Sequence, residues 1–500
     1  MRYMKSAFSG VAALCLSTPL MAADTDVTIV LNEELENIEP CMAAQSNIGR
    51  VILQNISETV TELNVDNGEV MPRLATSWED QGDGVWRFNL REDVQFSDGS
   101  DFTAEDVKHS IERTLSPELT CETGAKYFGG MTITPTVVDD HTIDIASDPA
   151  QPILPLLMST MTVVPSETPV EFTREPIGTG PYMLSSWEPG QSIVLDRNDG
   201  YWGEQPSVTK ATYVFRADDA VRAAMVETGE ADIAPLISQT NATNPDTDFS
   251  YPNSETTYLR LDHAVAPLDD VRVRRALNLA VDREAFLGTL VPETAELATH
   301  ITVPTTLGAG EELEVPPYDP DQARALIEEA KADGVPVDTE IMMIGRRGNF
   351  PNVTEVMEVL QQMFNDVGLN TDLQMVDVAE WVKYYSKPFA SGSEPSIVGA
   401  MHDNNRGDPV FSMYFKYACD GLQSGTCDET LEQQIADATA TAGEGRAEAW
   451  QTAFQRAHEI SADVMLFHMV GYSRVSPRID FKPTIATNSE LQLSQIKFND

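Results

Sequence analysis

At 500 residues, 42% of them hydrophobic and 22% charged, the chain has a globular composition but more length than one core absorbs, so two or more lobes are expected. Its formal charge of -46 is spread along the whole length, which favours solubility and repels nucleic acid and anionic lipid. Such a surface suits salty surroundings rather than a site for cationic substrates, and it argues against any nucleic-acid partner.

The chain opens with Arg2 and Lys5, an apolar stretch from Ala7 to Met21, and the small residues Ala22 and Ala23 before Asp24. That stretch is too short and wrongly flanked for a membrane span, so residues 1–23 read as a secretory signal peptide cleaved near Ala23. A lipid-modified Cys15 is the alternative, although Leu14 before it is larger than that processing usually accepts. No other long apolar run occurs, and a soluble exported protein is expected. Cys41, Cys121, Cys419 and Cys427 then remain, an even set that argues for disulfides. Cys419 and Cys427 enclose a loop rich in Gly, Ser and Thr and form the first pair, which leaves Cys41 with Cys121. Metal ligation, the alternative, lacks a C-x-x-C or neighbouring histidines, so no metal or cofactor is expected.

VTIVLNEE, from Val27, reads as a first strand, and IGRVILQNISETVTEL, from Ile48, as an apolar-faced helix. Trp86 to Leu90 alternates as a half-exposed strand does, with turn dipeptides at Asp83-Gly84 and Asp98-Gly99. Thr103 starts a helix with Asp106 as its capping-box partner and Val107, Ile111 and Leu115 on one face. Further on, Asp319 is an N-cap, Pro320 takes the first helical position and Gly334 follows the end.

From Asp338 to Pro409 two consecutive strand-helix-strand units follow. The strand EIMMIG, Glu340 to Gly345, leads to a helix from about Asn352, in which Val356, Val359, Leu360, Met363 and Phe364 recur at helical spacing before Gly368. Leu373 to Val378 is the second strand, AEWVKYYSK the second helix and Ser396 to Met401 the third strand. Ligands of such sheets sit beyond the carboxyl ends of the strands. Arg346 and Arg347 leave the first strand there, and the loop HDNNRGDP, ending in Asp408 and Pro409, leaves the third. A fixed cation and a fixed anion would flank one crevice, which suits a zwitterion. Ordinary solvated loop charges are the bland alternative.

Three blocks carry a resemblance. They are L-A-x-S-W with aromatic-x-F-x-L-R, V-x-F-x-D-G and T-A-x-D-V between Leu74 and Leu115; GTGPYMLSSWEPGQSIVLDRNDGYWG from Gly178; and PLDDVRVRRALNLAVDREAF from Pro267. In this order they resemble extracellular solute-binding protein family 5, the dipeptide-, oligopeptide- and nickel-binding proteins of ABC transporters. The resemblance implies an α/β, two-lobed periplasmic-binding-protein fold with hinge crossovers and an extra subdomain in the first lobe. Lobe I would take residues 24–258, with the subdomain at about 41–178; lobe II would take 259–477, and 478–500 would return to lobe I. Tyr258 to Val265 is the expected first crossover and Tyr472 to Phe481 the return, with Asp262-His263 where the family usually has an asparagine.

In dipeptide-binding members an aspartate in a G-D-P segment holds the ammonium group and an arginine after the preceding strand holds the carboxylate. The resemblance therefore implies Asp408, within Gly407-Asp408-Pro409, as ammonium anchor and Arg347 as carboxylate clamp, with Arg346 as the competing choice. His402 stands where such members often have a tryptophan, and Asp403, Asn404 and Asn405 after it make the pocket more polar. His402 and Asn405 are thus ligand-binding candidates, a loop histidine bonded to backbone being the alternative for His402. Trp381 and Tyr384 read as helix packing residues, with ligand stacking as the alternative.

The expected function is capture of a short peptide or similar zwitterionic solute between the lobes and delivery to an ABC permease, by a periplasmic monomer that is not an enzyme. A nickel chelate, an opine, a glutathione-like peptide or a sugar on the same scaffold is the alternative. A secreted hydrolase is the rival class. The chain carries neither G-x-S-x-G nor a phosphate loop, and His458-Glu459 is followed by Ala462 where a zinc helix needs its second histidine.

Overall fold

The structure is a computed structural model that describes residues 25–64, 69–309, 313–404, 407–443, 445–482 and 490–499. The expected signal peptide, Cys15 and Asn405 lie outside the described residues.

One eleven-stranded sheet runs through the molecule and carries both lobes. On the lobe II side the parallel strands Asn370–Val376, Glu340–Arg346 and Ser396–Asp403 follow one another. On the lobe I side Ile233–Ala234, Asp26–Leu31 and Lys210–Phe215 run parallel and continue into Ser192–Arg197 and Tyr182–Glu188. Between the two sets lie the long antiparallel strands Asp248–Leu261 and Asp463–Val475, which pair from Asp248 with Arg474 to Arg260 with Asp463 and so carry the chain from lobe to lobe. These crossovers begin earlier than Tyr258 and Tyr472. In the segment DFSYPNSE, Pro252 and Asn253 interrupt the strand pattern. The pairing is in fact irregular there, with a register shift between Pro252 and Thr256.

Local signals set most element boundaries. Thr103 and Asp106 form the capping box of the helix Ala104–Thr114, the Thr103 amide lying 2.7 Å from Asp106 Oδ2. Asp319 caps the helix Pro320–Ala332 through the Gln322 amide at 2.8 Å, and Gly334 takes φ +90° after it. In the helix Val353–Asp366, Val356, Leu360 and Phe364 are buried, but Met357 fills the inner face where Val359 was expected.

The helix expected from Ile48 to Leu63 is shorter. Only Ser46–Ile52 is helical, Gln54 turns at φ 57°, and Thr61–Leu63 is a strand. Tertiary partners take the backbone groups that a longer helix would use. Tyr182 N donates to Asn55 O at 2.9 Å, Gly180 N to Ile56 O at 3.0 Å, and Val163 N to Glu58 O at 3.0 Å. Gly178 and Gly180 permit this approach, since a Cβ at either would stand 2.0 Å from Ile56 O or 2.3 Å from Asn55 O. The G-T-G-P-Y motif therefore serves packing.

A four-stranded antiparallel sheet, Ala75–Gly82, Val85–Leu90, Thr142–Asp148 and Thr132–Asp139 in that order, forms the extra subdomain. Its core is continuous with one face of lobe II. The helix Glu122–Phe128 lies on the helix Val410–Tyr417, with Tyr127 edge-on to Phe411 at 5.1 Å. Both expected disulfides are present, Cys41–Cys121 and Cys419–Cys427.

Asp463, at the start of the second crossover, is buried and accepts the Leu261 amide at 3.3 Å. Burial pushes its carboxyl up to about 7. A group whose folded value is raised stabilises the fold below its unfolded value, and that contribution disappears as pH rises through the folded value. Between pH 5 and pH 8 the native protein is therefore expected to lose about 2–3 kcal/mol relative to an Asp463→Asn variant, measured as the difference of urea unfolding free energies at the two pH values.

Candidate ligand-binding cleft

The carboxyl ends of strands from the two lobes meet across one cleft. From lobe I, the strand Asp26–Leu31 ends just before Asn32 and Glu33; from lobe II, Glu340–Arg346 ends on Arg346 and Ser396–Asp403 on Asp403. Glu33 and Arg346 form an ion pair across the gap, and Asn32 Nδ2 donates to Gly348 O at 3.1 Å. A second ion pair joins Lys126 of the subdomain to Asp403 at 2.7 Å. The two lobes are thus held closed around a cavity of about 470 Å³. A smaller chamber of about 190 Å³ adjoins it and shares Glu255, Asn349 and Met401 with it. A third cavity, about 510 Å³, lies within lobe II between Leu279, Leu326, Phe454 and Met465. It touches neither strand end, so the cleft between the lobes is the candidate site.

The charges of the cleft are of both signs. Arg346 holds Glu33 through one Nη, leaves its buried Nε without a partner, and stacks 5.5 Å from the Trp381 ring centroid. Lys126 is buried; desolvation pulls its ammonium down, but Asp403 outweighs it and holds the group above the usual lysine range. Lys416, also buried, donates to Tyr385 Oη and Gln423 Oε1 and, among the described residues, has no carboxylate within ion-pair distance. Desolvation, with Lys126 adding repulsion, pushes it well below the usual range. Glu255 is 5% exposed, and burial pushes its carboxyl up to about 7. The cleft therefore pairs a strong cation with a surplus of acid.

Arg346, Trp381 and His402 of the expected residues line this cleft together. Trp381 packs on Tyr385 at 4.1 Å between ring centroids and donates its Nε1 to Gly399 O at 2.9 Å, so it forms a rigid wall. His402 sits on the strand rather than in a loop, bonded at 2.7 Å to the Ser412 hydroxyl instead of to backbone. Desolvation, with Lys416 and Lys126 nearby, keeps it neutral.

Arg347, Gly407 and Asp408 are not among the residues that line the cavity. Arg347 points to solvent, 58% exposed at its side chain and 3.6 Å from Asp377. Asp408 is buried, and both its oxygens bind Arg446, at 2.7 and 2.9 Å, while Oδ1 also accepts the Val410 amide at 2.9 Å. Its charge is spent inside lobe II. Glu33, Lys126, Glu255 and Lys416 carry no sequence signal of a site; Asp403 is legible as the acid that follows His402 in the expected pocket, and the strand ends on it.

A two-lobed clamp with crossover strands at its waist and charged groups at the facing strand ends defines a solute-binding protein. Residues 69–423 match the family model described as bacterial extracellular solute-binding proteins, family 5 Middle, and the chain belongs to that family. Among curated relatives, the dipeptide-binding protein of Escherichia coli (strain K12) is 27% identical over 459 residues, covering 84% of this chain and 85% of that protein. The nickel-binding periplasmic protein of the same strain is 30% identical over 341 residues, covering 61% and 63%. Of solved structures, the dipeptide binding protein from Pseudoalteromonas sp. SM9913 in complex with Met-Leu superimposes with a TM-score of 0.83 at 17% identity, over 95% of this chain and 100% of that one. These relatives are binding proteins, and the structural likeness establishes the shared fold. Among the described residues no helix is long and apolar enough to cross a membrane.

Proposed function

We propose that the protein captures a short peptide or a similar zwitterionic solute between its lobes, closes on it, and delivers it to the permease of an ABC importer in the membrane. It acts as an exported periplasmic monomer and binds without turning its ligand over. The observation that carries this reading is the convergence of opposite charges from both lobes on one closed cavity, with Arg346 and the acids Glu33, Asp403 and Glu255 around it. The dipeptide- and di/tripeptide-binding relatives support it.

Arg346 is the carboxylate clamp in this reading. Its planar guanidinium is held in place by Glu33 and Trp381, and the side chain, 18% exposed, lines the cleft where a ligand carboxylate can meet it. A charge-assisted hydrogen bond of this kind contributes about 1.5–3 kcal/mol of the roughly 8 kcal/mol that micromolar binding needs. Titration calorimetry with short peptides is expected to find at least tenfold weaker binding for Arg346→Gln and unchanged binding for Arg347→Gln. Equal affinities for wild type and Arg346→Gln would remove the clamp. Mass spectrometry of solute released from the purified protein tests the wider reading: a peptide or zwitterionic conjugate supports it, and a neutral sugar or metal chelate overturns it.

A further inference from the structure

Lobe II holds a cavity as large as the cleft, about 510 Å³, for which capture between the lobes has no use. It lies where the two apolar cores that flank the sheet of lobe II part. Tyr417, Phe454 and Met465 belong to one core, and Leu279 and Leu326 lean on the other. Both leucines are half-buried on the helices Val271–Ala280 and Pro320–Ala332, so apolar surface stays uncovered inside the protein.

Hydrogen bonds tie the walls back and keep the cavity from collapsing. Arg274 donates from Nε and Nη2 to Ile460 O at 3.2 and 2.9 Å, Arg283 Nε to Met465 O at 2.7 Å, and Asn278 Nδ2 to Asp463 O at 3.0 Å. On the outer side His458 Nε2 lies 3.0 Å from Glu314 O, and Arg275 Nη2 donates to Glu459 O at 3.3 Å. These bonds hold the helix Gly445–Glu459, the helix Val271–Ala280 and the start of the second crossover at fixed spacing. A preformed, largely apolar cavity with a few polar groups is the usual form of a small-molecule site.

One polar group of the lining is incomplete. His300 is 6% exposed, with the rings of Phe454 and His468 centred 5.1 and 5.4 Å from its own, and its Nδ1 lies 3.4 Å from the Thr302 hydroxyl. Among the described residues its Nε2 has no hydrogen-bond partner, whereas buried polar groups are normally paired. Burial pushes the imidazole down to about 4, so at pH 7 the ring is neutral and offers an anion no charge to hold. Glu314, Glu459 and Asp463 also line the cavity against the single arginine Arg275, which disfavours an anion further.

We propose that this cavity is a second ligand site, separate from the cleft, for a small uncharged molecule with an apolar ring and one hydroxyl or N–H group that bonds His300 Nε2. Ala462, Asp463 and Met465 of its lining stand at the start of the second crossover, so an occupant touches the element that joins the lobes.

The test uses the full mature chain in calorimetric titrations at pH 7 with indole as the probe, indoleacetate as its anionic counterpart and naphthalene as a ring pair without the N–H. Indole is expected to bind the wild type at least tenfold more tightly than either of the others, a comparison that needs no variant. Leu326→Trp, which fills the cavity from a half-buried position, is expected to abolish indole binding. His300→Phe, which keeps a ring and removes Nε2, is expected to weaken it at least tenfold, with urea unfolding showing that both variants are folded. Failure of the wild type to bind indole, or binding that Leu326→Trp leaves unchanged, overturns the site. Equal affinity of the wild type for indole and naphthalene overturns the bond to His300.

Discussion

Arg446→Met is expected to destabilise the protein by about 3–5 kcal/mol, because it leaves the Asp408 carboxylate buried and unpaired. The guanidinium is 4% exposed at its side chain; it holds both Asp408 oxygens, and its remaining Nη1 donates to the carbonyls of Ala438, Thr439 and Thr441 at 3.0, 2.9 and 2.8 Å. It thereby ties the loop before Val410 to the turn between the helices Glu429–Ala440 and Gly445–Glu459. Urea unfolding of the single variants and of the double variant Asp408→Asn/Arg446→Met measures the effect. The double variant is expected to recover much of the loss, since no buried charge then stands alone. The folded fraction of an Asp408→Asn variant should bind peptide as the wild type does. A selective loss of affinity with unchanged stability would instead return Asp408 to the ligand.

Removing the Cys41–Cys121 bridge by paired serine substitutions is expected to cost about 4.5 kcal/mol, against about 2.5 kcal/mol for the Cys419–Cys427 bridge. The difference follows from loop length, 80 residues against 8, because the longer cross-link removes more freedom from the unfolded chain. Cys121 directly precedes the helix Glu122–Phe128, which carries Lys126 into the cleft. Cys41 lies beside Glu39, whose buried carboxylate binds Arg113 at 2.7 and 3.0 Å. The bridge therefore fixes the subdomain edge that reaches across to Asp403, and its loss is expected to weaken peptide binding as well as stability. Unfolding free energies of the two paired variants, compared under the same conditions, check this. Equal losses for both would show that native-state contacts, and not chain entropy, set the contribution.

Much of the scaffold could be read along the chain, and the reason is local. Thr103 with Asp106, and Asp319 with Pro320 and Gly334, state helix limits through bonds that span three or four residues. The apolar runs EIMMIG and SIVGAM are parallel strands because they are buried on both faces, which leaves a continuous pattern in the sequence. The segment from Leu53 to Leu63 had an equally good helical pattern and is not a helix. Its carbonyls go to Gly180, Tyr182 and Val163, more than a hundred residues away. The first crossover is longer than its local pattern for the opposite reason, since Pro252 and Asn253 mark a loop locally while pairing of Pro252 with Val470, and of Glu255 onward with Ser396–Asp403, carries the strand through them.

The family, the two-lobed fold, both disulfides and the arrival of Arg346, Trp381 and His402 at one crevice were determined by the sequence itself, through motifs, cysteine spacing and the rule that strand ends face the ligand. Which charges remain available for a ligand was decided only by the tertiary structure. Asp408 and Asp403 stand five positions apart on one segment, yet Arg446 neutralises the first inside lobe II while the second lines the cleft and pairs with Lys126 of the subdomain. Glu255 reaches the same place from about 150 residues earlier through strand register. A charge becomes a site or a structural tie according to the partner it meets, and for Asp408 and Asp403 that partner, Arg446 or Lys126, comes from another part of the chain.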